Sequence, residues 1–386
     1  MSKLNLRPDL PLSAVASIAE EAAAAGWTDV LPMAGGEPRF APPPAALSAL
    51  SSASVEAVTK YTPFRGTVPL LAGIQRKLSE VNDLSVDLSE IIALPGGAQA
   101  LFSALSVLIG PDRREVVLID PCWEHYPRIA QAAGAEVRIV PTVREGAHDR
   151  IDLDALRGAV TSRTAAVLLN TPLNPTGSVL TAAELREIGD VCGAARARLV
   201  VDEEYETFVY GPHQHVSARS VVPEAISLFS FSKSFALTGI RLGYICADPE
   251  TVDAIKRFGL YTYMYSASPS MVMAAEMLRD DVRPYLKNAR GEYEAKAADL
   301  SANLDALPGV SCVMPEGGVY VFPRIAQEEG SSVAMRLVRE RHLLCVPGEA
   351  AGATGRGHVR LFIGLDDAQN REAVLRVREF VEADAE

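Results

Sequence analysis

Short runs of consecutive apolar residues recur through the middle of the chain, and each run ends in polar or turn-forming residues. Runs of roughly four to eight such residues predict β-strands that are buried on both faces of a sheet. The clearest examples are EIIALPGG, EVVLID, TAAVLLN, RLVVDEEY and ISLFSFS. Between them lie segments with helical spacing, such as TAAELREIGDVCGAA, in which Thr181 and Glu184 have capping-box spacing. Strands that alternate with helices predict an α/β fold, with a mostly parallel mixed sheet covered by helices.

The pattern changes near residue 282. The segment VRPYLKNARGEYEAKAADLSANLDAL predicts a long amphipathic helix, and the strand-like segment GVSCVMPEGGVYVFP follows it. A helix, a strand and a final helix are predicted after that. We therefore predict a large domain over residues 46–284 and a smaller α+β domain formed by residues 1–45 together with 285–386.

Composition and charge narrow the class of protein. The 386 residues are 48% hydrophobic and 22% charged, as in ordinary globular enzymes, and the net charge of −12 argues against a nucleic-acid partner. The five cysteines are scattered without CxxC spacing, which predicts reduced thiols rather than a metal site or a disulfide framework. No signal-peptide pattern and no run of membrane-spanning length is present, so we expect a cytoplasmic protein without a membrane partner.

Residues of different chemical types follow the predicted strands, at the edge where an open parallel sheet binds its ligands. They are Gly96 and Gly97, Trp123, Asn174, Asp202 with Tyr205, and Lys233 after Ser232. Each one alone is typical of a tight turn, a helix cap or a packed aromatic residue. Together they supply an anion cradle, a flat ring, an amide, an acid, a phenol and an amine. Those groups are what a protein needs to hold a phosphorylated aromatic aldehyde and to bind it covalently.

Two common nucleotide-binding motifs are absent from the sequence. No GxGxxG fingerprint follows the early strands, which argues against a nicotinamide oxidoreductase, and no GxxxxGK[ST] loop is present.

Several motifs carry a resemblance to a known family. In chain order they are GGEPRF at 35–40, KYTPFRG at 60–66, NPTG at 174–177, DEEY at 202–205, SFSKSFALTGIRLGY at 230–244 and VRLFIG at 359–364. In this set and order the chain resembles the class I and II aminotransferases over essentially its whole length. These proteins are fold-type I enzymes that depend on pyridoxal 5′-phosphate (PLP), so the resemblance implies that fold and that cofactor.

The resemblance also implies a cofactor site. It assigns the PLP phosphate to Ser230, Ser232, Arg241 and the backbone N–H groups of Gly97, Ala98 and Gln99, with Tyr61 reaching the phosphate of a neighbouring subunit. It assigns the ring to Asp202 at the pyridinium nitrogen, Asn174 and Tyr205 at the phenolic oxygen, and Trp123 on the ring face. The role of Tyr61, with Tyr265 and Ser266 near the same seam, implies a homodimer with shared active sites.

The catalytic roles follow in the same way. Lys233 would form the Schiff base with the cofactor and move the Cα proton, with Asp202 and Tyr205 as the other catalytic residues. Arg360 would bind the α-carboxylate of the substrate, near Gly36 and Asn174. The expected activity is a ping-pong transfer of an amino group from an L-amino acid to a 2-oxo acid.

Other reactions are compatible with the same motifs. A PLP-dependent lyase, cyclase, decarboxylase or oxidase of a biosynthetic pathway shares the scaffold, and a PLP-binding regulatory module is a further alternative.

The sequence does not identify the substrate. Ala98 and Thr262 replace basic residues that dicarboxylate-specific relatives carry, whereas Arg39 and Arg65 offer cations that could meet a distal acid or be ordinary surface charges. Glu124 and His125 are compatible with a polar or basic substrate side chain, and equally with solvent-facing positions at a helix start.

Overall fold

The apolar runs form five of the eight strands of one large sheet in the computed structural model, which describes residues 13–325 and 331–383. The strands are β1 Leu31–Pro32, β2 Ile91–Leu94, β3 Glu115–Asp120, β4 Glu136–Glu145, β5 His148–Ile151, β6 Thr164–Asn170, β7 Arg198–Asp202, β8 Ile226–Ser230, β9 Gly243–Cys246, β10 Val310–Ser311, β11 Tyr320–Val321, β12 Arg324–Ile325, β13 Leu343–Leu344, β14 Val346–Pro347 and β15 Val359–Phe362. The five predicted runs correspond to β2, β3, β6, β7 and β8, which confirms them.

Helices connect the strands and cover the sheet. They are α1 Ala14–Ala24, α2 Pro44–Ser52, α3 Val55–Thr59, α4 Val68–Asn82, α5 Gly97–Leu108, α6 His125–Ala132, α7 Leu153–Ala159, α8 Ala182–Ala195, α9 Ala218–Val221, α10 Phe231–Ser234, α11 Pro249–Gly259, α12 Ser268–Met277, α13 Arg283–Asp305, α14 Ser331–Arg341 and α15 Asp367–Ala383. The predicted capping box is present at α8, where the Thr181 hydroxyl accepts the N–H of Glu184 and the Glu184 carboxylate accepts the N–H of Thr181.

The eight strands of the sheet lie in the order β2-β9-β8-β7-β6-β3-β4-β5. Pairing is parallel from β8 through β7, β6 and β3 to β4, and antiparallel at both margins, where β9 lies between β2 and β8 and β5 returns along β4. The fold class is therefore the predicted α/β class with a mixed sheet.

Two apolar layers hold the helices against the sheet. Successive residues of a strand point to opposite faces, so Val116 and Leu118 pack beneath α5 and α6, while Val117 and Ile119 pack beneath α7 and α8. Each buried apolar side chain of this size contributes about 1.5–3 kcal/mol to the free energy of folding. This double burial explains why the central strands are continuous apolar runs.

The C-terminal part has an apolar cluster of its own. It is built mainly from α13, α14, α15 and the short strands between them, and it also contains Leu31 and Met33. Strand β1 pairs in parallel with β13, so a segment near the N-terminus belongs to this part of the molecule. The predicted strand-like stretch over 309–323 contains only two short strands, β10 and β11, which are separated by the irregular residues 312–319. The domain limits at residues 45 and 284 stay predictions, and residues 1–12, 326–330 and 384–386 of the smaller predicted domain lie outside the described residues.

No helix in the described part of the chain has the length and apolar character that crossing a membrane requires.

Candidate active site

Three parallel strands bring their carboxyl ends together at one edge of the sheet. Strands β6, β7 and β8 are neighbours, with β7 ending at Asp202 and β8 at Ser230. Lys233 follows β8 in the short helix α10, and Asn174 lies in the turn after β6. Asn174, Asp202 and Lys233 therefore start from adjacent strand ends.

The start of helix α5 forms a corner of backbone N–H groups that are unpaired in the described structure. Among the described residues, no acceptor binds the backbone N–H groups of Gly97, Ala98 and Gln99, since the first turn of a helix has no internal partners for them. Gly96 precedes the helix with φ of 88°, a conformation that glycine adopts without strain. A Cβ atom on Gly96 would lie 2.5 Å from the Nη2 atom of Arg241, so this guanidinium lies against the turn. Free N–H groups beside a guanidinium suit a doubly charged anion such as a phosphate ester.

Strands β8 and β9 close the same corner. The Ser230 hydroxyl accepts the N–H of Ser232 at 3.0 Å, and a Cβ atom on Gly97 would lie 4.0 Å from the Cβ atom of Ser230. A Cβ atom on Gly243 would lie 2.8 Å from the Phe229 carbonyl oxygen and 3.2 Å from the backbone nitrogen of Gly97. Glycine at position 243 is what lets β9 approach this corner.

Asp202 is held by two hydrogen bonds. The Tyr126 hydroxyl donates to Oδ2 at 2.8 Å, and the backbone N–H of Glu204 donates to Oδ1 at 3.1 Å. Burial raises the pKa of Asp202 to about 7 and the nearby Glu204 carboxylate acts in the same direction, while the Tyr126 hydrogen bond lowers the pKa. A cation placed beside such a carboxylate restores its charged form, so Asp202 is suited to pair with a protonated ring nitrogen.

A line of polar contacts leads from Tyr205 to Arg360. The Asn174 Nδ2 atom donates to the Tyr205 hydroxyl at 3.4 Å, and the Arg360 Nη1 atom donates to Asn174 Oδ1 at 3.1 Å. The Arg360 Nη2 atom donates to the Ala34 carbonyl at 3.1 Å, and the guanidinium lies 4.1 Å from the ring centre of Tyr320. Arg360 is only 8% exposed, yet no carboxylate of the described residues lies within ion-pair distance of it. Within the described part of the chain, the site thus contains a buried guanidinium without a counter-ion.

Lys233 lies near the hydroxyl end of Tyr320. Its Nζ atom donates to the Gly36 carbonyl at 2.7 Å, and a Cβ atom on Gly36 would overlap the Tyr320 hydroxyl at 2.0 Å and lie 3.5 Å from Nζ. The Thr238 hydroxyl donates to the Glu37 carboxylate and so holds the loop of Gly36 against the segment after Lys233. The Lys233 amine, the Tyr320 phenol and the Arg360 guanidinium therefore lie together in the candidate pocket.

Trp123 lies beside Tyr126, the hydrogen-bond partner of Asp202. Its ring meets the Tyr126 ring edge to face, with 5.4 Å between centroids, and stacks on the His125 ring at 4.6 Å. The aromatic plate predicted from the sequence is thus next to the predicted ring-binding acid.

Two predicted site residues lie apart from these contacts. The Gln99 side chain donates to the Ser103 hydroxyl at 3.2 Å, so Gln99 offers the corner only its backbone N–H. Tyr61 is 81% exposed and stacks on Tyr265, with 4.6 Å between centroids. Within one chain Tyr61 meets none of the other predicted cofactor residues, and its predicted role in a neighbouring subunit stays a prediction.

Sequence reasoning missed Tyr126 and Tyr320. Tyr126 is separated from Asp202 by 76 positions, and Tyr320 stands in a short strand of the C-terminal part. The signal for Tyr126 is its position three residues after Trp123, which places both on one side of the start of α6. No comparable local signal marks Tyr320, because only folding brings it between Arg360 and Lys233.

Substituting Tyr126 by phenylalanine is expected to raise the pKa of Asp202 in the cofactor-free protein. A hydrogen bond to a charged group is worth about 1.5–3 kcal/mol, so its loss should raise the pKa by roughly 1–2 units. Carbon NMR of the aspartate carboxyl groups during a pH titration measures this shift. The matched control is Tyr263→Phe, because the buried Tyr263 hydroxyl has no hydrogen-bond partner in the described structure. An equal Asp202 pKa in Tyr126→Phe and the parent protein would contradict the assigned hydrogen bond.

Comparison with known proteins places this geometry in context. The family model described as aminotransferase class I and II matches residues 28–377. An aspartate aminotransferase of Geobacillus stearothermophilus is 32% identical, with 99% of this chain and 98% of that protein covered. An aromatic-amino-acid aminotransferase of Thermococcus litoralis is 31% identical, with 93% and 95% covered. A solved Thermus thermophilus aspartate aminotransferase mutant superposes with a TM-score of 0.90 at 30% identity, over 97% of this chain and 99% of that one.

Proposed function

This chain belongs to the class I and II aminotransferase family and is an aminotransferase, and from that premise we propose that it binds PLP in the described pocket and takes a donor other than a dicarboxylic amino acid. Members of the family use PLP. When bound, this cofactor supplies an aldehyde that joins to an amine, and a ring that accepts the electron pair released at the substrate Cα. The observation that carries the proposal is the unbroken line of contacts from Lys233 through Gly36 and Tyr320 to Arg360.

The corner at the start of α5 would hold the cofactor phosphate. The N–H groups of Gly97, Ala98 and Gln99 provide three donors, and Arg241 adds a charged fork beside them. Ser230 and Ser232 follow from the neighbouring strand end. A phosphate dianion needs this number of donors, and the glycines at positions 96 and 243 keep the space open for it.

The opposite end of the pocket would bind the ring. Asp202 would pair with the ring nitrogen, and the Tyr126 hydrogen bond orients its carboxylate. Asn174 and Tyr205 are already in contact, so both can donate to one ring oxygen. Trp123 would cover the ring face.

Lys233 and Arg360 would act on the substrate. Arg360 would bind the α-carboxylate through two parallel hydrogen bonds, which supplies the counter-ion that this buried guanidinium otherwise lacks. With the carboxylate bound there, the Lys233 amine, which lies near the Tyr320 hydroxyl, would take the proton from Cα and carry it away from that atom. Ordered carboxylate binding thus determines which bond at Cα faces the base.

The side chains around the pocket argue against a distal carboxylate on the substrate. Ala98 and Thr262 bear no charge, and the Thr262 hydroxyl donates to its own helix turn. The Arg39 guanidinium donates to the Gln369 side chain at 3.0 Å, and Arg65 donates to the Leu88 carbonyl at 2.8 Å. Both guanidinium groups therefore already donate hydrogen bonds to other groups of the protein. An unmatched carboxylate on the substrate would cost about 1–3 kcal/mol.

The names of the relatives support a second candidate, since several are called aspartate aminotransferases. The distinction is testable in the absorbance of the purified holoenzyme while single amino acids are added without an oxo acid. We expect neutral, aromatic or basic donors to bleach the yellow colour at least roughly tenfold faster than aspartate or glutamate, and an added 2-oxo acid to restore it.

Ala98→Lys is the matched variant for this experiment, and it should gain activity toward aspartate. Aspartate as the fastest donor of the parent enzyme would overturn the proposed substrate class. Product release without loss of the yellow colour would point instead to a lyase, cyclase, decarboxylase or oxidase.

A homodimer is part of the proposal. Helices α2 and α3 pack against α12, and large apolar side chains remain exposed on and beside this group of helices, with Tyr61 81% and Tyr261 90% exposed. Exposed apolar surface of this kind marks an interface, and a second copy would bring Tyr61 to the other active site. Sedimentation at several protein concentrations tests it, and a monomer throughout would contradict it.

A reducing compartment such as the cytoplasm fits the cysteines. All five are buried and free of disulfides.

A further inference from the structure

A small cavity lies between the two parts of the molecule, away from the pocket described above. Its volume is about 60 Å³, enough for a small oxyanion or two waters. The hairpin of β4 and β5 contributes Arg144 and His148, and the turn after Asn174 contributes the Ser178 hydroxyl. The C-terminal part contributes Arg324 and His358.

Positive charge at this cavity exceeds negative charge. The Arg144 guanidinium donates to the Asp149 carboxylate at 3.2 Å, and Asp149 also lines the cavity. Arg324 has no carboxylate within ion-pair distance in the part of the chain that the structure describes. The cavity lining thus contains two guanidinium groups and one carboxylate, and only Arg144 is paired with that carboxylate, in a chain whose net charge is −12. A bound anion would balance the second guanidinium.

The wall of the cavity is held rigidly on the side of His358. Its ring stacks on Phe322, with 4.7 Å between centroids and 12° between planes, and Nδ1 lies 3.2 Å from the Arg356 carbonyl oxygen. Opposite it, the Thr176 hydroxyl donates to the Ser178 hydroxyl at 3.2 Å, which leaves the Ser178 proton for another acceptor. Fixed donors around a small polar space lower the ordering cost of binding an ion.

We propose that this cavity binds a small tetrahedral oxyanion of the phosphate type. Arg144 and Ser178 would contact it from the sheet domain, and Arg324 and His358 from the C-terminal part, so the anion bridges the two. His358 directly precedes β15, and Arg360 lies within that strand. An anion bound to His358 would therefore also hold the strand that carries the buried guanidinium. The site is separate from the corner at α5 and does not rest on the proposed substrate class.

The test is a titration of the holoenzyme, in which the phosphate end of the main pocket is already occupied. Inorganic phosphate is added while NMR follows the imidazole signals of His358 and His148. We expect saturable shifts that weaken roughly ten- to a hundredfold in Arg324→Gln, because a charge-assisted hydrogen bond is lost. Arg378→Gln is the matched control, since Arg378 is likewise exposed and has no ion pair among the described residues.

Three further titrations distinguish the source of the anion. Tighter binding of glycerol phosphate than of inorganic phosphate would identify the phosphate group of a metabolite, and equal or weaker binding would identify free phosphate. Binding of acetate alone would overturn the proposal. Absence of saturable shifts, or equal affinities in Arg324→Gln and Arg378→Gln, would overturn it as well, and Arg144→Gln repeats the comparison from the other side of the cavity.

Discussion

Replacing Lys233 by alanine is expected to lower kcat by roughly 10⁴-fold or more, because one residue serves as covalent attachment point and as proton carrier. The fold should survive, since the described side chain makes one hydrogen bond, from Nζ to the Gly36 carbonyl. A single bond of this kind contributes only about 1 kcal/mol to the free energy of unfolding. Steady-state rates with the best donor, together with the thermal unfolding midpoint, measure both parts of the prediction.

The matched control for Lys233→Ala is Lys287→Ala, which removes an exposed lysine from α13. The control should keep its full rate. Turnover close to that of the parent enzyme in Lys233→Ala would contradict the catalytic assignment. A variant that unfolds instead would show that Lys233 is a structural lysine.

Replacing Arg360 by glutamine is expected to lower kcat/KM by roughly 10²–10³-fold. The substrate carboxylate would enter a buried site without its counter-ion, and such a loss costs about 2–5 kcal/mol. The kcat/KM of Arg360→Lys should lie between those of Arg360→Gln and the parent enzyme, because lysine keeps the charge but lacks the planar guanidinium. Binding of a non-reactive carboxylate inhibitor, measured by calorimetry, isolates this effect from the chemical step.

The thermal unfolding midpoint of the Arg360→Gln variant distinguishes a binding role of Arg360 from a structural role. The guanidinium has no ion pair among the described residues and its Nε atom is buried without a partner, so its removal should leave the unfolding midpoint of the cofactor-free protein unchanged or raised. A lowered midpoint together with unchanged inhibitor affinity would show that Arg360 serves packing alone. Arg378→Gln is again the control for a surface arginine.

The central strands were predictable because a strand buried on both faces has a continuous run of apolar residues in the sequence. Strands β3 and β6 coincide with the runs EVVLID and TAAVLLN, and every residue in them is buried. The residues directly after such strands were predictable as site candidates, since parallel strands end at one edge. Lys233, Asp202 and Asn174 were all reached in this way.

The margins of the sheet were not predictable in the same way. Strand β4 is mostly exposed and shows no regular alternation, so the hairpin with β5 left no readable pattern. Strand β9 is short and buried, but nothing local indicates that it enters antiparallel between β2 and β8. Pairing partners are chosen by the packing of the whole chain, which a local period does not encode.

The sequence by itself determined which chemical groups stand at the strand ends, because spacing along a strand or a helix start is a local property. Only the tertiary structure decided which groups meet. Lys233 reaches the Gly36 carbonyl across 197 positions, and Arg360 reaches Asn174 across 186. The physical reason is that a counter-ion or a hydrogen-bond partner is set by distance in space, and burial of the two apolar layers is what fixes those distances.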